Sequence, residues 1–557
     1  AIAEEIKTNK ITAEEVKLAQ LKLANESEQA MRNVTGIGMA LSEYIAKGDY
    51  RHNFYFRDQI AAVTVRQVQA AAEKYLIQSN RTLGRFIPTD TRKRAELPDA
   101  PNLNEILKDY IGKATVAAGE IYDNNVANIK KRLVNQQWPE GTKLSIYPKK
   151  KRGEEILINI NLPTGNINSL HNKAMTFDFI APLLDLGNEK HTKETIAGKL
   201  DELKSTIDFS SSNGVFNINI TTDKTHLLPT IALLNELLAF PTFPSKELEV
   251  SVRSSIASLE ANRNDPSTVS LGSLRKNLYA YTKGHPKAYL STDDKIAAMS
   301  KLTSNQIKAL YKQHLSISDG YISIIGDVNP QEVSALLHDA LKQFTNSVPY
   351  EKLVSRYHNK EGLIIQNETP DKANAQLYVV NVLNINKQHP DYLALMLAND
   401  IFGYDAFTSR IGARIRVKEG YSYSVGSGLQ IPEKEEQGIF YAFAISAPEN
   451  IEAVITAYKE EVNKVVDEGF TQEELNSAVQ GYIKDRSRQW ADDAAIAHVL
   501  IDSQKYNRDL DYYDETIEKI KALTVEELQA AFTQHIASKK MNIFSAGDFE
   551  KLKVSSK

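Results

Sequence analysis

Arg416 and Tyr423 stand seven positions apart in the segment FTSRIGARIRVKEGYSYSVGSG, which runs from Phe407 to Gly428. Arg416 falls at the end of a predicted helix, and Gly420 breaks the chain before Tyr423 enters a predicted strand. Both side chains can therefore converge at a helix-to-strand corner. A fixed guanidinium and a phenol each offer donors to a peptide carbonyl oxygen. Donors already in place gain strength as that oxygen gains charge, and removing one typically costs about 100- to 1000-fold in rate. The plainer reading makes Arg416 a surface ion-pair partner and Tyr423 an ordinary strand residue at the edge of a core; on spacing alone it is favoured.

Other chemistries find less support. The eleven histidines include no pair at i, i+4, so neither H-E-x-x-H nor H-x-x-E-H is present. His226, His338 and His498 read as surface or partly buried polar residues. The sequence has no cysteine, hence no thiolate nucleophile, thiolate metal site or disulfide framework. It has no G-x-S-x-G elbow and no Walker loop, and Gly426 with Gly428 reads as a flexible stretch. The run Lys149-Lys150-Lys151-Arg152 beside Gly153 is expected to be a solvated hairpin turn.

The elements that must position the Arg/Tyr segment belong to a repeat. Aligning Thr64, Thr303 and Thr524 superimposes VTVRQVQAAAEKYL, LTSNQIKALYKQHL and LTVEELQAAFTQHI without a gap, making Tyr75, His314 and His535 equivalent. An acidic helix start precedes each copy: Thr12 with Glu14 and Glu15, Ser245 with Glu247, Thr471 with Glu473 and Glu474. A spacing of roughly 220 to 240 residues makes each unit a domain with its own core. The first unit begins too close to Ala1 to be whole, and its sheet is expected upstream.

Within the units, Ile156, Ile158 and Ile160, and then Phe216, Ile218 and Ile220, alternate with more polar residues as strands do. Ile196, Leu200, Leu203 and Ile207 are assigned to one helical face. A strand from Phe440 to Ile445 precedes a helix carrying Ile451, Ile455, Tyr458, Val462 and Val465, stopped by Gly469. Each unit ends on a helix and a strand: Thr82 to Pro88, Gly320 to Asp327, Met541 to Asp548. The fold class is α+β, with repeated sandwich domains, each a mainly antiparallel sheet covered by helices on one face. Residues 1–88 form the end of the first unit, 89–123 a linker whose stretch from Thr89 to Tyr110 is a long strap, 124–344 the middle unit, 345–361 a second linker and 362–557 the last unit.

Hydrophobic residues make up 42% and charged residues 25%, with net charge −4. That balance asks for no nucleic acid. No apolar run approaches the roughly 18 residues of a membrane-spanning helix.

The Phe407 to Gly428 segment resembles the Arg/Tyr segment in the C-terminal half of the pitrilysin/insulinase zinc metallopeptidases, the inverzincins. The resemblance covers the whole chain, which is similar to the end of the second domain and the complete third and fourth domains of that four-domain family. It implies a substrate chamber closed by two halves, with a peptide or unfolded segment as substrate and Arg416 and Tyr423 as substrate-binding, transition-state contacts. In the middle unit, counting back from Gly187-Asn188 places Asp178, Ala181 and Pro182 where the family has His, Glu and His. The distal ligand position falls on Ser258, with Glu260 nearby but rotated about 200° around the helix. Alanine and proline ligate no metal, so the resemblance implies no metal or catalytic centre in this chain. Zinc and a general base are expected in an N-terminal half of the same protein, which is this chain's partner. The alternative is a non-catalytic scaffold or peptide-binding protein of the same fold. A periplasmic location is weakly favoured.

Overall fold

The computed structural model describes residues 5–6, 8–32, 34–76, 102–110, 117–279, 281–345, 348–537 and 539–551. The helices of the repeated segment, Val65–Tyr75, Ser304–His314 and Val525–Phe532, all begin on the same device. Thr64, Thr303 and Thr524 each accept the amide hydrogen three residues on, while Gln67, Gln306 or Glu527 reaches back to the cap backbone. Such caps contribute about 1 kcal/mol each. Thr12 with Glu15 and Thr471 with Glu474 form the same box. Ser245 does not: Pro244 holds the cap position, and the Ser245 hydroxyl instead lies 3.1 Å from that of Ser304.

Two sheets follow one plan. The first contains β1 (Val134–Gln137), β2 (Lys143–Pro148), β3 (Glu155–Pro163), β4 (Thr206–Ser212), β5 (Val215–Asp223) and β6 (Tyr321–Gly326), in the order β1-β2-β6-β3-β5-β4. The second contains β7 (Ile364–Glu368), β8 (Ala375–Leu383), β9 (Ser422–Gln430), β10 (Gly438–Ser446) and β11 (Asn542–Gly547), in the order β7-β11-β8-β10-β9. β2 pairs parallel with β6 as β7 does with β11; the β6–β3–β5–β4 and β11–β8–β10–β9 pairings are all antiparallel. Topology thus repeats the sequence repeat, with β1 as an added edge strand. The mainly antiparallel α+β architecture is borne out.

Two local expectations are corrected. The helix beginning at Lys193 ends at Glu202, and Ile207 lies in β4, where it joins the core from the sheet side. The Lys149–Arg152 run is neither a hairpin nor freely solvated, because β6 lies between β2 and β3. Lys149 and Lys151 reach Asp493 at 2.8 and 3.4 Å, tying the middle unit to the last.

Each sheet packs one face on its own unit's helices. Ile156, Ile158, Ile160 and Leu162 of β3 meet Leu234, Leu237 and Leu337 in one core, and Val379, Phe440 and Ala442 meet Phe402, Tyr458 and Phe532 in the other. The opposite faces are covered reciprocally. Helix Pro266–Leu278 of the middle unit lays Leu274 and Leu278 on Val380, Val382 and Phe544 of the second sheet. Helix Asp493–Tyr506 of the last unit lays Ile496, Ala497 and Leu500 against Tyr147 and Ile325 of the first. Ser270 donates to the Phe544 carbonyl at 3.0 Å, and Gln504 donates to the Ser145 hydroxyl at 2.6 Å.

Helices Ala13–Ala30, Val34–Ala46, Arg51–Ala62 and Val65–Tyr75 precede both sheets. The apolar stripe that buries Ile307, Leu310 and Tyr311 in one copy and Leu528, Ala531 and Phe532 in another corresponds to Val68, Ala71 and Ala72 in the first. No residue of helix Val65–Tyr75 is buried, and Leu76 is 50% exposed. The expected strand Thr82 to Pro88, and most of the expected strap from Thr89 to Tyr110, lie outside the described residues.

Candidate functional site

Three arginines crowd the segment between β8 and β9, and the structure gives them different tasks. Arg410 clasps Glu474 through two bonds of 2.7 Å and donates to the Gly469 carbonyl at 2.9 Å. Arg414 pairs with Glu419 and, at 2.8 Å, with Glu460. Both are committed to holding the corner together. Arg416, among the described residues, has no ion pair; its guanidinium lies over two rings, 3.9 Å from the centroid of Phe407 and 5.0 Å from that of Tyr423. Cation–π attraction to the rings uses none of the guanidinium's N–H donors.

Local sequence explains the placement. Asp405 accepts amide hydrogens from Phe407 and Thr408 at 2.9 and 2.8 Å and so starts the turn that carries Phe407. These bonds, with the more distant Arg416 charge, hold its carboxyl below the usual range. Gly412 lets the following turn approach: a β-carbon there would meet the Asp405 and Ala406 carbonyl oxygens at 2.7 Å. Residues Gly412–Lys418 form a wide π-helical turn, a geometry found often at functional sites. Gly420, at φ +65°, reverses the chain into β9.

Tyr423 is the extra residue of a bulge. Ile445 of β10 opposes Ser424 and Ser446 opposes Ser422, so Tyr423 has no partner in the ladder. The Ser422 hydroxyl donates across the bulge to the Ile445 carbonyl at 2.7 Å, and the Ser446 hydroxyl donates to the Tyr421 carbonyl. Bulges re-aim side chains and recur beside active sites. Tyr423 is 82% exposed and Phe407 58% exposed, so neither ring is there to fill a core. β9 is also the outer strand of its sheet. The corner therefore combines a guanidinium lying over two exposed rings with the end of an edge strand. Sequence reasoning paired Arg416 with Tyr423 but missed Phe407, whose signal was an aromatic residue two positions after the turn-forming Asp405.

The positions where the resemblance expects zinc ligands do not fit a metal. Asp178 ends a short helix and is exposed, and Ala181 and Pro182 occupy a single 3-10 turn. Ser258 is exposed, and Glu260 is taken by Arg263 at 2.7 and 2.8 Å.

Residues 301–482, which include the Arg416–Tyr423 corner, match the family model described as the peptidase M16 inactive domain. Over those residues the chain is similar to that family. The match agrees with the resemblance of the sequence to the non-zinc half of the pitrilysin/insulinase peptidases. The chain is also similar in fold to a solved peptidase M16 inactive domain from Pseudomonas fluorescens, at 23% identity over 74% of this chain and 98% of that one, with a TM-score of 0.63. A protease from Helicobacter pylori aligns at 16% identity over 74% of this chain and 99% of its own, with a TM-score of 0.62. The periplasmic protease PqqL from Escherichia coli aligns at 16% identity and a TM-score of 0.63 over 98% of this chain, which spans 62% of PqqL. The M16 inactive domain accordingly lacks the catalytic zinc site. No helix among the described residues is long and apolar enough to cross a membrane.

One half-buried carboxylate gives a pH signature. Asp400 begins the π-helical turn Asp400–Tyr404, and burial, aided by Asp485, pushes its carboxyl up to about 6 from the usual 3.8. The folded state therefore binds the proton more tightly than the unfolded chain. Stability from this group is greatest in acid and is lost as pH rises through about 6. Asp400→Asn is expected to raise stability by about 2 to 3 kcal/mol at pH 7.5 and to change it little at pH 4, as read by urea melts at both pH values.

Proposed function

We propose that this chain is the substrate-binding, chamber-closing half of a zinc metalloendopeptidase that hydrolyses peptides or unfolded protein segments. The observation that carries the proposal is the Phe407–Arg416–Tyr423 cluster, with Tyr423 bulged out at the end of edge strand β9. An extended peptide can pair with the outer edge of β9 and bring a backbone carbonyl to the guanidinium edge and the phenol. Zinc and a general base belong, in this reading, to an N-terminal half of the same protein. The unburied stripe of Val68, Ala71 and Ala72 supports such a partner, since equivalent residues in both later units bury against a sheet. Residues 1–88 are then the end of the second domain, 124–344 the third and 362–557 the fourth, with linkers at 89–123 and 345–361. The first linker is the strap about which the halves part. The protein is periplasmic and takes no nucleic acid.

The test is peptidase activity on an unstructured fluorogenic peptide, with zinc by elemental analysis, for this chain and for the complete protein. Activity and zinc are expected in the complete protein and no activity in this chain alone. A complete protein without either would overturn the proposal in favour of a peptide-binding scaffold. Val68→Glu is expected to leave the melting of this chain unchanged and to weaken its association with the N-terminal half; unaltered association would remove Val68 from the interface.

A further inference from the structure

We propose that His389, Asp391 and His535 form a binding site for one divalent transition-metal ion of zinc-like ligand preference, separate from the Arg416 corner and independent of the function proposed above. The three side chains come from opposite ends of the last unit. His389 and Asp391 stand in the turn that opens helix Tyr392–Asn399, and His535 in the wide turn that follows helix Val525–Phe532. Each offers a ligand atom within 4.8 Å of the other two. The Asp391 Oδ2 lies 2.7 Å from His535 Nε2 and 3.8 Å from His389 Nδ1, and the two imidazoles stand at 88° with centroids 5.2 Å apart.

Two neutral imidazoles and a carboxylate are the donors that zinc and its neighbours in the first transition row prefer over calcium or magnesium. Metal bonds near 2.1 Å put neighbouring ligand atoms about 3.4 Å apart in a tetrahedron. The ion therefore needs His535 and Asp391 to part slightly and His389 to close slightly. His389 Nδ1 at present accepts the Asp391 amide hydrogen at 3.2 Å, a long bond that a coordinate bond can replace. His535 is 7% exposed and so held in place, whereas His389 is half-buried and lines a cleft of about 530 Å³.

The sister unit shows what the same framework does without these donors. His314, equivalent to His535, meets the Ser169 hydroxyl at 3.2 Å and the Leu310 carbonyl at 3.0 Å. Neither belongs to the donor set above. A histidine at this position can thus fasten helix Ser304–His314 to the short helix Ile167–Leu170 through an ordinary hydrogen bond. In the last unit the histidine's side-chain partner is a carboxylate, with a second imidazole beside it.

The experiment uses this chain without any histidine tag, titrated with zinc chloride by calorimetry and with cobalt(II) in the visible spectrum. One zinc ion per chain is expected, together with the visible bands of cobalt in a low-symmetry site, a zinc-dependent rise in Tm, and weaker binding at pH 5, where imidazoles protonate. His389→Ala removes a half-buried ligand without emptying the core, and is expected to abolish the cobalt bands and the zinc-dependent rise in Tm while leaving the metal-free Tm within a few degrees. His535→Gln tests the buried ligand. Absence of stoichiometric binding, or equal zinc affinity in wild type and His389→Ala, would overturn the proposal.

Discussion

Arg416→Ala, introduced into the complete protein, is expected to lower kcat/KM on an unstructured peptide by about 100- to 1000-fold, most of it in kcat. The guanidinium lies over the rings of Phe407 and Tyr423 and has no ion pair among the described residues, so its removal breaks no ionic network. Folding should be unaffected, and an unchanged melt beside a large loss of turnover separates a substrate contact from a structural one. Arg416→Lys should recover little. An ammonium keeps the charge, but it neither stacks flat on a ring nor presents a planar fork. Tyr423→Phe keeps the ring under the guanidinium and removes only the hydroxyl donor, so its loss should be smaller and its effect on Arg416 slight. Arg410→Ala and Arg414→Ala supply the contrast. Arg410 is bound to Glu474 and the Gly469 carbonyl, and Arg414 to Glu419 and Glu460, so their removal should lower Tm as well as activity. Wild-type turnover in Arg416→Ala would exclude the guanidinium from the reaction.

What the sequence disclosed about this corner, and what it hid, follows from the range of the forces involved. Thr64, Thr303 and Thr524 could be read directly because a capping box closes within four residues, and the apolar stripe behind each is set by the same helical turn. Alternation at Ile156, Ile158 and Ile160 was legible because that face alone meets its own unit's helices, while Asn159 and Asn161 face the other way. Ile207 was misread since a strand that buries every second or third residue near a helix end mimics helical spacing. Lys149 and Lys151 were misread because their partner, Asp493, is more than three hundred residues away. The convergence of Arg416 and Tyr423 followed from a helix, a glycine and a strand in series. The bulge that turns Tyr423 outward did not, because it is a property of the β9–β10 register rather than of β9 alone. His389, Asp391 and His535 escaped motif reading for the same reason: no local spacing joins position 391 to position 535.

The reciprocal packing of the two sheets sets the other large effect. Phe544→Ala is expected to destabilise the protein by about 3 to 5 kcal/mol, the range for emptying a buried phenylalanine site. Phe544 lies on β11, between β7 and β8, is fully buried, and packs with Leu274 and Leu278 from the middle unit rather than with the helices of its own. The cavity would therefore open between units. Were the units independent, the substitution would lower only the melting of the last one and leave the middle one as a separate, unshifted transition. Reciprocal coverage predicts otherwise. Helix Pro266–Leu278 loses its seat when the second sheet melts, and the same event withdraws Asp493–Tyr506 from Tyr147 and Ile325, exposing the first sheet as well. Calorimetry should thus show one cooperative transition in the wild type and one transition, shifted down, in Phe544→Ala. A melt that splits, with one component at the wild-type temperature, would show that the exchanged helices cover the sheets without coupling them.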